Sequence, residues 1–177
     1  IEKLVETAAD RGSPAVAVTD HGVMYGAVDF YKAAKKRGIK PIIGCEVYVA
    51  QRTRFDRVHG LDSEHRHLVL LCENNIGYQN LIALVSRSWT EGFYSKPRVD
   101  FELLRQYHAG LIALSACLAG EIPRDLTKVQ RPRPCATKKF LGMEIFIWSC
   151  RITDCASRSS STRRSGRFPG KREFRWS

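Results

Sequence analysis

Four short apolar runs alternate with stretches whose apolar residues recur at helical spacing, and this alternation constrains the fold more than any other feature. Leu4, Val5, Ala8 and Ala9 repeat at helical spacing until Gly12 offers a stop, and Ala15-Val16-Ala17-Val18-Thr19 then reads as a short buried strand. A second helix from about Tyr25 carries Ala27, Phe30, Tyr31 and Ala34 on one side. It ends on Lys35-Lys36-Arg37-Gly38, cations in the last turn followed by glycine. Pro41 to Ala50 reads as a strand, 51–65 as a polar loop and His67 to Cys72 as another strand. Asn74 or Asn75 caps a predicted helix with Leu81, Ile82, Val85 and Trp89 on its apolar face. Asp100 caps a shorter one with Leu103 and Leu104, Gly110 stops it, and Leu111 to Ser115 is the last clear strand.

Such alternation predicts an α/β architecture with a largely parallel sheet, open or closed into a barrel. In folds of this kind functional groups gather at the C-terminal ends of strands. That rule directs attention to Asp20 and His21 after the first strand and to Cys117 after the last. Glu46, inside its strand, and His67, at the start of its own, fit the rule less well.

A 44% hydrophobic content fills a real core, so a fully disordered chain is excluded. No uninterrupted apolar run approaches the ~20 residues of a membrane helix. The opening IEKLVETAADRG is neither a signal peptide nor a translation start, so the chain is expected to be a fragment. No short-spaced cysteine pair resembles a zinc knuckle, and without a secretory signal the expected compartment is the reducing cytoplasm.

The net charge of +11 would ordinarily point to a nucleic-acid partner, yet it is unevenly placed. Residues 1–126 hold 16 Lys and Arg against 15 Asp and Glu, whereas 127–177 hold 13 against 3. From Thr127 the periodicity gives way to Arg, Ser, Pro and Cys. A solvated, disordered basic tail is one reading; a shifted reading frame is the other. If each intended codon takes the third base of one residue and the first two of the next, its middle base is fixed, and that base largely decides polar against apolar. Residues 144–154 then permit DFYLELQDHG, which alternates like a strand and turns, and residues 128–143 permit a helix-like GAEAKAMRYEEVFGDG. The frameshift is the favoured reading, and it removes the tail's charge as a DNA-binding signal.

Among residues able to do chemistry, His21 follows Asp20 ahead of a glycine turn. A neutral imidazole there binds a metal through one nitrogen with a carboxylate orienting the other, although Asp-His-Gly is also an ordinary turn. Glu46 interrupts an apolar strand, where a charge needs a partner, a metal or water unless alternation aims it at solvent. His67 opens a buried-looking strand, His59 and His65 are expected to be solvated in the preceding loop, and Cys117 has the alternative of being an ordinary buried small residue. Together these supply two imidazoles, a carboxylate and a thiol, a set compatible with zinc and less well with manganese.

Thr19-Asp20-His21-Gly22, the segment Gly38 to Glu46 and His67-Leu68-Val69-Leu70-Leu71 resemble the PHP (polymerase and histidinol phosphatase) domain. Asn75-Ile76-Gly77-Tyr78-Gln79-Asn80-Leu81 and the segment Ser115 to Pro123 extend the match, in order, toward the PHP domain that opens alpha subunits of bacterial DNA polymerase III. The resemblance covers residues 1–126, and the shifted-frame DFYLELQDHG is similar to the family's next segment. It implies a distorted (β/α)₇ barrel, incomplete here, with a disordered tail over 127–177. It further implies zinc or manganese at His21, Glu46, His67 and Cys117, with Asp20 bracing a ligand from behind. The family's first strand, bearing a His-x-His pair, would precede Ile1; its late Asp-x-His pair and the polymerase carboxylates would lie beyond the match.

The parent implied is a DNA-directed DNA polymerase that uses magnesium, nucleoside triphosphates and a primer-template. Its implied partners are a sliding clamp, a clamp loader and a proofreading subunit. The PHP part would supply 3′–5′ exonuclease activity or a scaffold, and the fragment alone is expected to be inactive. The alternatives are a stand-alone phosphoesterase such as a histidinol phosphatase, against which the Asn75–Leu81 segment argues, and a non-catalytic interaction domain.

Overall fold

The computed structural model describes residues 1–114 and two further strands, 137–140 and 143–146. In chain order the elements are α1 (Glu2–Asp10), β1 (Ala15–His21), α2 (Ala27–Lys36), β2 (Lys40–Ala50), β3 (His65–Cys72) and α3 (Asn75–Thr90). They continue with β4 (Phe93–Tyr94), β5 (Lys96–Val99), α4 (Phe101–Gln106), β6 (Leu111–Leu114), β7 (Thr137–Phe140) and β8 (Met143–Phe146).

Local chemistry sets the helix starts. Asn74 Oδ1 accepts from the Gly77 N–H and Asp100 Oδ1 from the Leu103 N–H, each at 3.0 Å, satisfying donors that a first helical turn leaves open. At Gly77 the α3 backbone lies directly on the turn before β6. A Cβ there would sit 1.8 Å from Gly110 O, so no larger residue fits without moving the helix.

The α/β class is as expected, but the sheet is mixed rather than largely parallel. β2 pairs in parallel with β1 and β5, β3 runs antiparallel to both β2 and β6, and β8 joins β6 in parallel and β7 antiparallel. The order is β4-β5-β2-β3-β6-β8-β7, with β1 beside β2, and among the described residues it does not close on itself. The cause is the β2–β3 connection. A helical crossover would keep the strands parallel, whereas the polar 51–64 loop folds back and reverses the chain. β2 is long enough to serve two partners on one edge, β1 along Lys40–Glu46 and β5 at Tyr48 and Val49.

Strand alternation divides the sheet into two faces. Cys45, Val47, Val49, Leu70 and Ala113 bury against α3 and α4 residues Leu81, Leu84, Leu103 and Leu104. On the same face Val16, Val18 and Ile43 meet a second cluster of Val5, Phe30, Ala34 and Ile39 from α1, α2 and the residues after them. Helices therefore cover one face, and the register sends His21, Glu46, Tyr48, His65 and His67 to the other.

Candidate metal centre

His21 is the last residue of β1 and stands directly across the parallel ladder from Glu46. In the antiparallel β2–β3 ladder His67 faces Tyr48, one step diagonal to Glu46. Because β3 runs backwards, its start lies at the sheet end where β1 stops. His67 and Glu46 therefore stand level with the C-terminal end of β1, although Glu46 is inside β2 and His67 is near the start of β3.

Glu46 Oε1 lies 2.8 Å from His67 Nδ1 and 3.5 Å from His21 Nδ1. The His21 side chain is 68% exposed at the rim, whereas those of His67 and Glu46 are 22% and 15% exposed. The donor types, two imidazoles and a carboxylate, suit zinc or manganese. In this arrangement both imidazoles address the carboxylate, and among the described residues no group of three or more His, Cys, Asp or Glu is placed to hold an ion. Cys117 lies outside the described residues.

Asp20 points to the opposite face from His21, as neighbours in a strand must. Its Oδ2 accepts from the Gly26 N–H at 3.0 Å, so it ties the turn into α2, and Glu46 is the carboxylate beside the imidazole. Cys45 Sγ donates to the Asp20 carbonyl at 3.2 Å from within the core, and burial pushes its thiol up to about 12. It is a packing residue.

The peptide after His21 is fixed from three sides. Gly22 N–H donates to Glu46 O at 2.9 Å, and Gly22 O accepts from the Trp89 indole at 2.9 Å. A Cβ on Gly22, whose φ is +68°, would lie 2.9 Å from Pro97 Cγ and 3.0 Å from Tyr48 Cε2.

His65 corrects the sequence reading. It is the first residue of β3, partly buried, and its ring stacks on His67 at 5.7 Å with 14° between planes. Tyr48 meets both rings edge-on, at 4.8 and 5.3 Å. Burial, and then His67, hold the His65 imidazole below its ordinary value; burial, and then Glu46, raise the Tyr48 phenol. The His-x-His spacing across Arg66 was the available signal for His65. His59 is exposed, as expected.

Comparison with known proteins defines the class. The PHP domain family matches residues 1–142, and the chain belongs to it. Its relatives are narrower still. It is 58% identical over 113 residues to the DNA polymerase III subunit alpha of Thermus aquaticus, covering 63% of this chain and 9% of that protein. For the same subunit of Chlamydia muridarum the values are 54% over 123 residues, 69% and 10%, and for Treponema pallidum 52% over 124 residues, 70% and 11%. The chain thus spans about a tenth of these relatives' length. A crystal structure of a metal-dependent phosphoesterase from Bifidobacterium adolescentis overlaps 50% of this chain and 27% of its own, at a TM-score of 0.36 and 17% identity.

Proposed function

We propose that this chain is the PHP portion of a replicative DNA polymerase III alpha subunit and that its site binds a divalent ion, zinc or manganese, through His21, Glu46 and His67, with Cys117 as a fourth donor. The observation that carries the reading is the meeting of three side chains from three adjacent strands on the face left free of helices, within 2.8 and 3.5 Å of one carboxylate oxygen. An ion held there would polarise a phosphodiester oxygen and acidify its bound water, the chemistry of a 3′–5′ exonuclease. Within the chain, Glu46 sets the direction of both imidazole Nδ1 atoms, Tyr48 and His65 shield one side of His67, and His21 faces solvent where a ligand arrives. Without hydrolysis the same donors would act as a scaffold.

Polymerisation itself belongs, in this proposal, to the parent protein. It would use magnesium, nucleoside triphosphates and primer-template, work with a sliding clamp, a clamp loader and a proofreading subunit, and reside in the cytoplasm. No helix among the described residues is long and apolar enough to cross a membrane.

Calorimetric titration of the full chain with manganese and with zinc tests the metal reading. One ion should bind, weakened at least about tenfold by Glu46→Gln or His67→Ala, the range seen on losing groups that hold or orient a metal. Binding unchanged in both variants would place the ion elsewhere, and the reading would fail.

A further inference from the structure

An exposed aromatic pair borders the imidazole face. Trp89, in the last turn of α3, and Phe93, opening β4, stack at 5.3 Å with 23° between their planes, and remain 43% and 45% exposed. Large rings left in water as a stacked pair mark a contact surface more often than isolated exposed residues do. The indole is also held in place, because its Nε1 donates to the carbonyl next to His21.

Phe93 pairs across the β4–β5 ladder with Pro97, and Pro97 abuts Gly22. The neighbouring Lys96 places its ammonium 5.5 Å from the Tyr48 ring, which packs against both His65 and His67. Phe93 and Pro97 share one side of the short β4–β5 ribbon, while Lys96, paired with Tyr94, lies on the other side with Tyr48 and the imidazole–carboxylate group, so a strand crossing the edge of the ribbon would meet the rings and then the lysine. The nearest acid on α3's end, Glu91, is taken up by Arg54 at 2.7 Å and Arg87 at 3.3 Å, so it leaves little charge to repel an anion.

We propose that Trp89 and Phe93 form a base-stacking platform for single-stranded nucleic acid, with Lys96 receiving a backbone phosphate beside His21. The proposal rests on the reading of this site as directed at phosphodiesters. Its chemistry is that of sequence-tolerant single-strand binding: every base offers a π face to an aromatic ring, and the cation meets the backbone. An apolar protein segment would gain from the rings but nothing from the adjacent ammonium and imidazoles, which is why a polyanion with flat bases is the better match.

The test photo-crosslinks the full chain to an oligothymidylate carrying 5-iodouracil, in the presence of EDTA, and maps the adducts by mass spectrometry. Crosslinks should fall on the peptide holding Trp89 and Phe93. Phe93→Ala, which leaves the indole–Gly22 bond intact, and Trp89→Ala should each weaken binding about tenfold, whereas Trp89→Phe, which keeps a ring, should stay within about twofold. Lys96→Met should lower the salt dependence by about one counterion. Crosslinks confined to the basic stretch 127–177, with both alanine variants binding as before, would overturn the platform. So would capture of an apolar peptide, lost in Phe93→Ala, without any effect on the oligonucleotide. Because no metal is present, failure here is separate from failure of the metal reading, which the titration of His67→Ala decides.

Discussion

Arg98 and Asp62 are each 1% exposed, and Nη1 of the arginine donates to the main-chain oxygen of Asp62 at 3.1 Å. The same guanidinium donates to Arg54 O and Asp56 O in the loop, and to Gly92 O, which also accepts from the Arg98 N–H, so one side chain supplies donors to three loop carbonyls outside any strand or helix. The 51–64 loop thereby gains from a β5 residue the hydrogen bonds that regular structure would give it, and it delivers His65 and His67 to the site in a fixed register. Arg98→Ala would strip the three loop carbonyls of this donor in a buried setting, and should cost about 1–3 kcal/mol. Lysine cannot point in so many directions and should restore only part. Urea denaturation and amide exchange over residues 52–62 measure this; a loss below about 1 kcal/mol, the size of an ordinary substitution, would show that the loop holds itself.

Acid should loosen the same loop. Two hydrogen bonds from Arg52, at 2.9 and 2.5 Å, hold the Asp62 carboxyl below its ordinary 3.8, and the Val58 N–H assists at 2.8 Å. The Thr53 hydroxyl and N–H do the same for Asp56. Since the folded values lie below the unfolded ones, this stabilisation is complete above the ordinary carboxylate range and disappears as pH falls through it toward the folded values. Stability against pH should therefore fall less steeply below about pH 4 in Asp62→Asn than in the parent chain. Superimposable slopes would remove Asp62 from the acid response.

The reading frame is open to direct test. The charge step at residue 127 and the strand and helix patterns recovered by shifting one base predict that the gene continues in another frame near Thr127. Sequencing the genomic segment should reveal that frame extending beyond it. A single frame through Ser177, ending at a stop codon that close relatives share, would defeat the idea.

What the sequence made legible follows from how local each signal is. α2, α3 and α4 were readable because apolar spacing, Asn74, Asp100 and the Lys35-Lys36 end all act within a turn or two. β5 was not, since Lys96-Pro97-Arg98 carries no apolar run or alternation, and its arginine is buried only by the distant carbonyls of Arg54, Asp56 and Asp62. The reversal at β3 was hidden for the same reason. Arg54, buried in the loop, is fixed by Asp100 at 3.0 Å, 46 residues further along the chain. His21, Glu46 and His67 could be picked out as chemistry because charge or imidazole interrupts apolar strands. That they share one carboxylate oxygen depends on pairing register, which no single segment encodes.

Gly22 offers a final comparison, because Gly12 has nearly the same backbone without the same surroundings. Their φ angles are +68° and +72°, so an alanine at either position adopts a left-handed conformation that costs about 1 kcal/mol. At Gly12 nothing lies within 4 Å of the added methyl, whereas at Gly22 Pro97 Cγ and Tyr48 Cε2 would stand at 2.9 and 3.0 Å. Gly12→Ala should therefore lose only the conformational part, and Gly22→Ala that part plus about 1–3 kcal/mol of overpacking. The methyl can be accommodated only by moving the Tyr48 ring or the His21–Gly22 peptide, and either shift disturbs the geometry around Glu46. Gly22→Ala should accordingly weaken manganese binding while Gly12→Ala leaves it unchanged. Equal losses of stability and equal affinities in the two variants would mean that the turn after β1 adapts freely, and that the close approach of Gly22 to Tyr48 does not position His21.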